Sequence, residues 1–195
     1  MIGDIPGARR RRVDVGEVEL SVQEMGPDDG VPVILWHGFP EIGYSWRHQA
    51  AALGEAGYLA VVPDMRGYGQ SDRPEGTEAY AFPHLVGDVV GLINALGHGY
   101  AHLAGHDWGG SLCWATAALM PDKVRSLMIV NSPHPVASAE CRQVPEQQQK
   151  SWYMLLFQFP GVAEEWLLKD DAANLESFVF DTAAPGTFGP EERRL

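Results

Sequence analysis

The chain has 195 residues, of which 14 are basic and 26 acidic, for a formal net charge of −12, and 45% are hydrophobic. That apolar fraction supports a packed core and excludes a disordered chain, while the length fits one domain or one domain with an insertion. The acidic balance repels phosphate backbones and excludes nucleic acid as an expected partner.

In chain order, Arg9-Arg10-Arg11-Arg12 reads as a solvated N-terminal tail rather than a targeting signal. The alternating stretch "RVDVGEVELSVQEMG" that follows predicts two strands joined at Gly16, or one bent strand. "VPVILWHG" (31–38) is a continuous apolar run, as expected of a strand buried on both faces. "SWRHQAAALGEAG" (45–57) predicts a helix with Ser45 as N-cap and Gly57 as its stop. "YLAVVPDMRG" (58–67) is a second buried strand running into a loop. "FPHLVGDVVGLINALG" (82–97) is helical, with Pro83 near its start. "GYAHLAGHD" (99–107) is a strand, "WGGSLCWATAALM" (108–120) a helix, and "KVRSLMIVNS" (123–132) a further strand. The strict alternation predicts parallel strands with crossover helices. Beyond "NSPHP" (131–135) the pattern changes. Residues 146–181 read as mostly helical and aromatic, and "TAAPGTFGPEERRL" (182–195) as a loop with a polar end. Two units are therefore expected, 1–135 and 136–195.

No apolar run approaches the roughly 20 residues of a membrane span, so none is expected. Cys113 and Cys141 are the only cysteines, too few for a disulfide scaffold. No metal-ligand spacing is present, so no metal or cofactor is expected. A reducing, cytoplasmic location fits best.

Gly105-His106-Asp107-Trp108-Gly109 has the spacing of a nucleophile elbow, the turn between a strand and a helix that exposes a reactive side chain. Gly105 and Gly109 remove Cβ atoms where strand and helix come close. Here the central residue is an aspartate, and two readings of it stand. Asp is a good helix N-cap; at an elbow it is also a nucleophile. A serine must lose a proton to attack, whereas a carboxylate, with an ordinary pKa of about 3.9, is already charged at neutral pH. It suits displacement at a strained sp3 carbon, giving an ester that an activated water then hydrolyses through an oxyanion. The N–H of Trp108, next after the nucleophile, is one expected oxyanion donor. The N–H of Phe39, in the loop "HGFP" after the strand at 31–38, is the other. Pro40 is a candidate cis proline, and His37 reads as a structural histidine that holds this loop.

These residues resemble the epoxide hydrolases of the α/β-hydrolase fold. The matches are "HGFPE" (37–41), "SWRHQ" (45–49), "DMRGYGQSDRP" (64–74), "GHDWGG" (105–110), "NSPHP" (131–135) and "SWYMLLFQFPG" (151–161), in the family's order. The resemblance implies a mostly parallel sheet with flanking helices, and a helical cap over the pocket, here partial. It implies Asp107 as nucleophile and Tyr153 as the hydroxyl that donates to the epoxide oxygen. On its own, Tyr153 also reads as a packing tyrosine within "WYMLLF". Phe39, Trp108, Tyr153 and Phe157 are the implied substrate contacts, and a small apolar epoxide the implied substrate.

In that family a histidine, oriented by an acid, activates the hydrolytic water. His134 matches a structural position, and Asn131 stands at one alternative acid site without a charge. The expectation is of the N-terminal part of such an enzyme, about six strands, ending inside the cap without the base and its acid. Multiple turnover is then incomplete, and the sheet edge at 123–132, with Val124, Leu127, Ile129 and Val130, is expected to promote self-association. The alternatives are a haloalkane dehalogenase-like hydrolase, which also uses Asp followed by Trp, and a non-catalytic ligand-binding fragment.

Overall fold

A computed structural model of the chain describes residues 3–181 and 183–189. Thr182 and residues 190–195, part of the expected loop and polar end, lie outside the described residues. The chain divides into two compact units, between Pro135 and Val136.

The first unit is a six-stranded sheet with helices on both faces. Its strands are β1 (Arg9–Asp14), β2 (Glu19–Met25), β3 (Pro32–Trp36), β4 (Leu59–Pro63), β5 (Ala101–His106) and β6 (Val124–Val130). They lie in the order β1-β2-β4-β3-β5-β6. The first two pairings, β1 with β2 and β2 with β4, are antiparallel. From β4 through β3 and β5 to β6 all are parallel. The helices of this unit are α1 (Arg47–Glu55), α2 (Phe82–Ala95) and α3 (Trp108–Leu119).

The apolar runs are unbroken because alternate residues feed two cores. Ile34, Trp36, Val61 and Leu103 face one side, where Leu85, Val89, Leu92 and Ile93 of α2 and Leu112 and Cys113 of α3 close over them. Leu35, Ala60, Val62 and Ala104 face the other side, with Trp46 and Ala50 at the start and middle of the α1 region. Burial of a Leu or Ile side chain contributes about 1.5–3 kcal/mol, so both helical layers are held chiefly by these contacts.

Two expectations need correction. Arg9–Arg12 is not a solvated tail; it forms most of β1. Each guanidinium meets an acid: Arg9 with Asp28 at 2.7 Å, Arg10 with Asp4 at 2.8 Å, Arg11 with Glu24 at 2.8 Å, and Arg12 with Asp72 at 2.5 Å. Pairing with β2 and these distant carboxylates neutralises a run that looks repulsive when read locally. Ser45 is not an N-cap either. It lies in a 3-10 turn, Gly43–Trp46, and α1 begins only at Arg47.

The polar loop after β4 is fixed from within. Arg66 donates to both oxygens of Asp88, from Nε at 2.7 Å and Nη2 at 2.6 Å. Its Nη1 also donates to the Ala79 carbonyl at 2.6 Å. The Arg66 side chain is 2% exposed and that of Asp88 4%, so this pair ties the loop to α2 in a nearly dry setting. Asp64 adds two bonds from backbone amides, Gly43 N–H at 3.0 Å and Gln70 N–H at 3.1 Å.

At β6 the expected exposure holds for only part of the strand. Val124, Leu127 and Ile129 pack on the core, while Met128 and Val130 are exposed.

The second unit is helical: α4 (Pro135–Cys141), which begins at the boundary, α5 (Pro145–Lys150), α6 (Trp152–Leu156) and α7 (Val162–Phe180). The last leaves helical geometry over Lys169–Ala172. Trp152 meets Trp166 edge to face, with centroids 5.4 Å apart.

Candidate active site

The strand order places the site. From β3 the chain goes through α1 to β4 on one side, then back through α2 to β5 on the other. Such a reversal opens a crevice beyond the carboxyl ends of the two central strands. The register pairs Trp36 with Gly105. Two residues further on, Gly38 and Asp107 leave the sheet side by side.

Asp107 sits between β5 and α3 at φ 50°, ψ −115°, a conformation that costs a non-glycine residue of order 1–3 kcal/mol. Its side chain makes no capping bond to α3, which removes the N-cap reading. Neighbours hold the strained turn: the Asp107 N–H donates to the Val130 carbonyl at 3.1 Å, and the Asp107 carbonyl accepts from the Ser111 N–H at 3.0 Å. Gly105 and Gly109 are required by contact. A Cβ on Gly105 would meet the Gly109 carbonyl, and one on Gly109 would meet the carbonyls of Trp36 and His37.

The carboxylate meets the β3 loop. Its Oδ1 accepts the backbone N–H of Phe39 at 3.1 Å. The Phe39-Pro40 peptide bond is cis. Trp108 is the first residue of α3, where amides have no partner inside the helix. The residue is 47% exposed, and its indole tilts against Phe82 at 6.2 Å between ring centroids. The structure thus brings Asp107, Phe39 and Trp108 together.

Three further groups belong to this site and were not singled out as such from the sequence. His106, next to the nucleophile candidate, has Nδ1 3.1 Å from Oε2 of Glu41. The hydrogen bond to Glu41 and the nearby carboxylates raise His106 above its ordinary pKa, against some desolvation. For Glu41, burial pulls the pKa upward, but the bond and charge of His106 outweigh it and leave it lowered. Tyr68 stands edge-on to His37, with ring centroids 5.0 Å apart. Burial, with a contribution from the Asp107 charge, pushes its hydroxyl up to about 12. The only sequence signal for these residues was their membership in "HGFPE", "RGYG" and "GHDWGG".

Tyr153 and Phe157 belong to the second unit. There Tyr153 packs against Phe157 and Phe178, at 5.7 and 5.2 Å between centroids. It lines a 540 Å³ hollow with Trp152, Trp166, Asn174 and Phe178. Among the described residues no group of three or more His, Cys, Asp or Glu side chains is placed to hold a metal. No helix of the described residues is long and apolar enough to cross a membrane.

A carboxylate on a strained turn between a parallel strand and a helix, faced by a loop amide, matches the site plan of hydrolases with this sheet. The alpha/beta hydrolase fold family matches residues 31–189, and the chain belongs to that family. Within it, the chain is 40% identical over 192 residues to epoxide hydrolase A of Mycobacterium tuberculosis, covering 95% of this chain and 58% of that protein. It is 36% identical over 187 residues to the AB hydrolase superfamily protein YfhM of Bacillus subtilis, covering 95% of this chain and 65% of the other. A solved epoxide hydrolase from Vigna radiata superposes with a TM-score of 0.83 at 32% identity, over 98% of this chain and 66% of that one. The chain thus spans less than two thirds of the length of these relatives.

Proposed function

We propose that the chain carries the ester-forming machinery of an epoxide hydrolase acting on small apolar epoxides. Asp107 attacks an epoxide carbon. The new bond joins its carboxylate oxygen to that carbon, the ring C–O bond breaks, and the freed oxygen takes a proton from the Tyr153 hydroxyl. Water then adds to the carboxyl carbon of the ester. The resulting oxyanion is held by the N–H groups of Phe39 and Trp108. Its collapse breaks the bond to the alkoxy oxygen, which leaves as the diol with one proton of the water. The other proton returns to the Tyr153 oxygen, so that Asp107 is restored as a carboxylate and Tyr153 as a phenol. Phe39, Trp108, Tyr153 and Phe157 contact the substrate, and the second unit is its cap. These residues account for ester formation and for holding the oxyanion; a group that activates the water is not among them.

The observation that carries this reading is the 3.1 Å bond from Phe39 N–H to Asp107 Oδ1, on a side chain with no capping role. The 40% identity to an epoxide hydrolase supports it. The test is mass spectrometry after incubation with an aryl epoxide. One adduct, mapped to Asp107, is the expected result; an unmodified Asp107 refutes the reading. Halide release from a haloalkane, without epoxide opening, would assign the site to the dehalogenase alternative instead.

Two further assignments accompany this reading. The free thiols Cys113 and Cys141 fit a cytoplasmic, reducing location. The β6 edge, with Met128 and Val130 exposed, pairs with a second copy of the chain, and sedimentation as a monomer at all concentrations would exclude that pairing.

A further inference from the structure

His37 is fully buried, with no exposed surface. Its two ring nitrogens meet two backbone groups of opposite character. Nε2 lies 2.9 Å from the backbone nitrogen of Met65, and Nδ1 lies 3.0 Å from the carbonyl oxygen of Gly38. A backbone N–H can only donate, so Nε2 must carry a lone pair. The neutral ring then bears its proton on Nδ1, and that proton is donated to the Gly38 carbonyl. The two contacts together select one tautomer.

The Gly38 carbonyl belongs to the peptide group whose other end is the N–H of Phe39. A peptide group is planar, so fixing the direction of its oxygen fixes the direction of its hydrogen. That hydrogen points at Asp107 Oδ1, 3.1 Å from nitrogen to oxygen. The same carbonyl also accepts the N–H of Glu41 at 2.9 Å. The chain of bonds therefore runs from Met65 N–H through the His37 ring and the 38–39 peptide to the reactive carboxylate. Hydrogen bonds in such a series polarise one another, which makes the Phe39 N–H a better donor. Tyr68, edge-on to the ring, limits its rotation.

We propose that His37 is a positioning residue for the oxyanion hole: held as the Nδ1–H tautomer by Met65 N–H, it aims the Gly38–Phe39 peptide at Asp107. This goes further than a histidine that merely holds a loop, and it rests on the reading of Asp107 as nucleophile. His37 touches no reacting atom itself. Burial lowers its pKa, against the opposing pull of the Gly38 carbonyl and of Asp64 and Glu41, which keeps the ring in the form that can accept from Met65.

Two substitutions separate its two ends. His37→Asn keeps a donor near the Nδ1 position and loses the acceptor. His37→Gln reaches the Nε2 position as an acceptor and loses the donor to Gly38. The experiment is nitrogen NMR of the histidine-labelled 195-residue chain, with the amide spectrum of Phe39 recorded for all three proteins. It is combined with the rate at which hydroxide breaks down the Asp107 ester formed from an aryl epoxide. The expected results are the Nδ1–H tautomer of His37 at neutral pH, and a Phe39 amide proton shift kept in His37→Asn and moved upfield in His37→Gln. Ester breakdown should stay within about threefold of the parent in His37→Asn and slow about tenfold or more in His37→Gln. An Nε2–H or charged ring in the parent chain overturns the proposal, whether or not the variants fold. So does an equal effect of both substitutions that tracks their melting temperatures, since a purely structural role gives that pattern. If the parent chain forms no ester, the proposed function fails, while the tautomer and the Phe39 amide still decide the role of His37.

Discussion

Gly38 and Asp107 approach so closely that a Cβ on Gly38 would stand 2.5 Å from the Asp107 Cβ and 2.8 Å from its Oδ1. Real atoms do not share that space, so Gly38→Ala must push the loop or the Asp107 side chain aside. Overpacking of this kind costs about 1–3 kcal/mol. The expected outcome is a lowered melting temperature together with loss of the Asp107 adduct. An alanine variant that melts and reacts like the parent chain would contradict the geometry.

The strain at Asp107 gives a second prediction. Asp107→Gly and Asp107→Ala both lose the carboxylate and its bond from Phe39. Only glycine accepts φ 50° without strain, so Asp107→Gly should be more stable than Asp107→Ala by about 1–2 kcal/mol. Urea denaturation of the two variants measures the difference, and neither should form an adduct. Equal stabilities would show that the turn relaxes when the side chain is removed.

The Glu41–His106 pair makes stability depend on pH in a defined window. His106 is raised above its ordinary value of 6.5, so its contribution is complete below that pH and is lost as pH rises through the folded-state value. Glu41 is lowered below its ordinary 4.5, so its contribution is complete above that pH and is lost as pH falls. The stability difference between the parent chain and Glu41→Gln should therefore be largest between pH 4.5 and 6.5. Both side chains are partly exposed, which limits the pair to about 1 kcal/mol or less. Melting curves across pH check this, and a difference that keeps growing above pH 8 would be inconsistent with it.

Arg66 and Asp88 make a larger demand. Asp88→Ala leaves a buried guanidinium with, among the described residues, the Ala79 carbonyl and Glu17 as its remaining partners. Removing one member of a buried pair costs about 3–5 kcal/mol, enough to unfold a marginal domain. Replacing both, as Arg66→Met with Asp88→Leu, should recover much of that loss. A double variant no better than the single one would mean that the pair is not an isolated unit.

Tyr153→Phe tests the second unit. Removing the hydroxyl should slow formation of the Asp107 adduct about tenfold or more and leave the melting temperature nearly unchanged. Unaltered adduct kinetics would assign Tyr153 to packing against Phe157 and Phe178.

The parallel strands were legible because each is an apolar run bounded by turn residues. The expected strands at 31–38, 58–67 and 99–107 became Pro32–Trp36, Leu59–Pro63 and Ala101–His106. The start of α2 was legible from Pro83, since a proline in the first turn gives up no hydrogen bond. The arginine run was misread because its partners lie elsewhere in the chain: Asp72 is 60 residues from Arg12. Ser45 was misread because a 3-10 turn, Gly43–Trp46, runs straight into α1, so that Ser45 lies inside a helical turn and the α-helix starts two residues later.

By itself the sequence determined the elbow: an aspartate between two close-packing glycines at a strand-to-helix turn, in the context of alternating strands and helices. Spacing is enough there because the turn is local. Only the tertiary structure decided what that aspartate meets. The register of β3 on β5 brings Phe39 N–H to its oxygen across 68 positions and sets Glu41 against His106 across 65, while the pairing of β3 with β4 sets His37 between Gly38 and Met65. Hydrogen bonds between segments far apart in the chain depend on how strands pair and in which direction side chains leave the sheet, and packing fixes both.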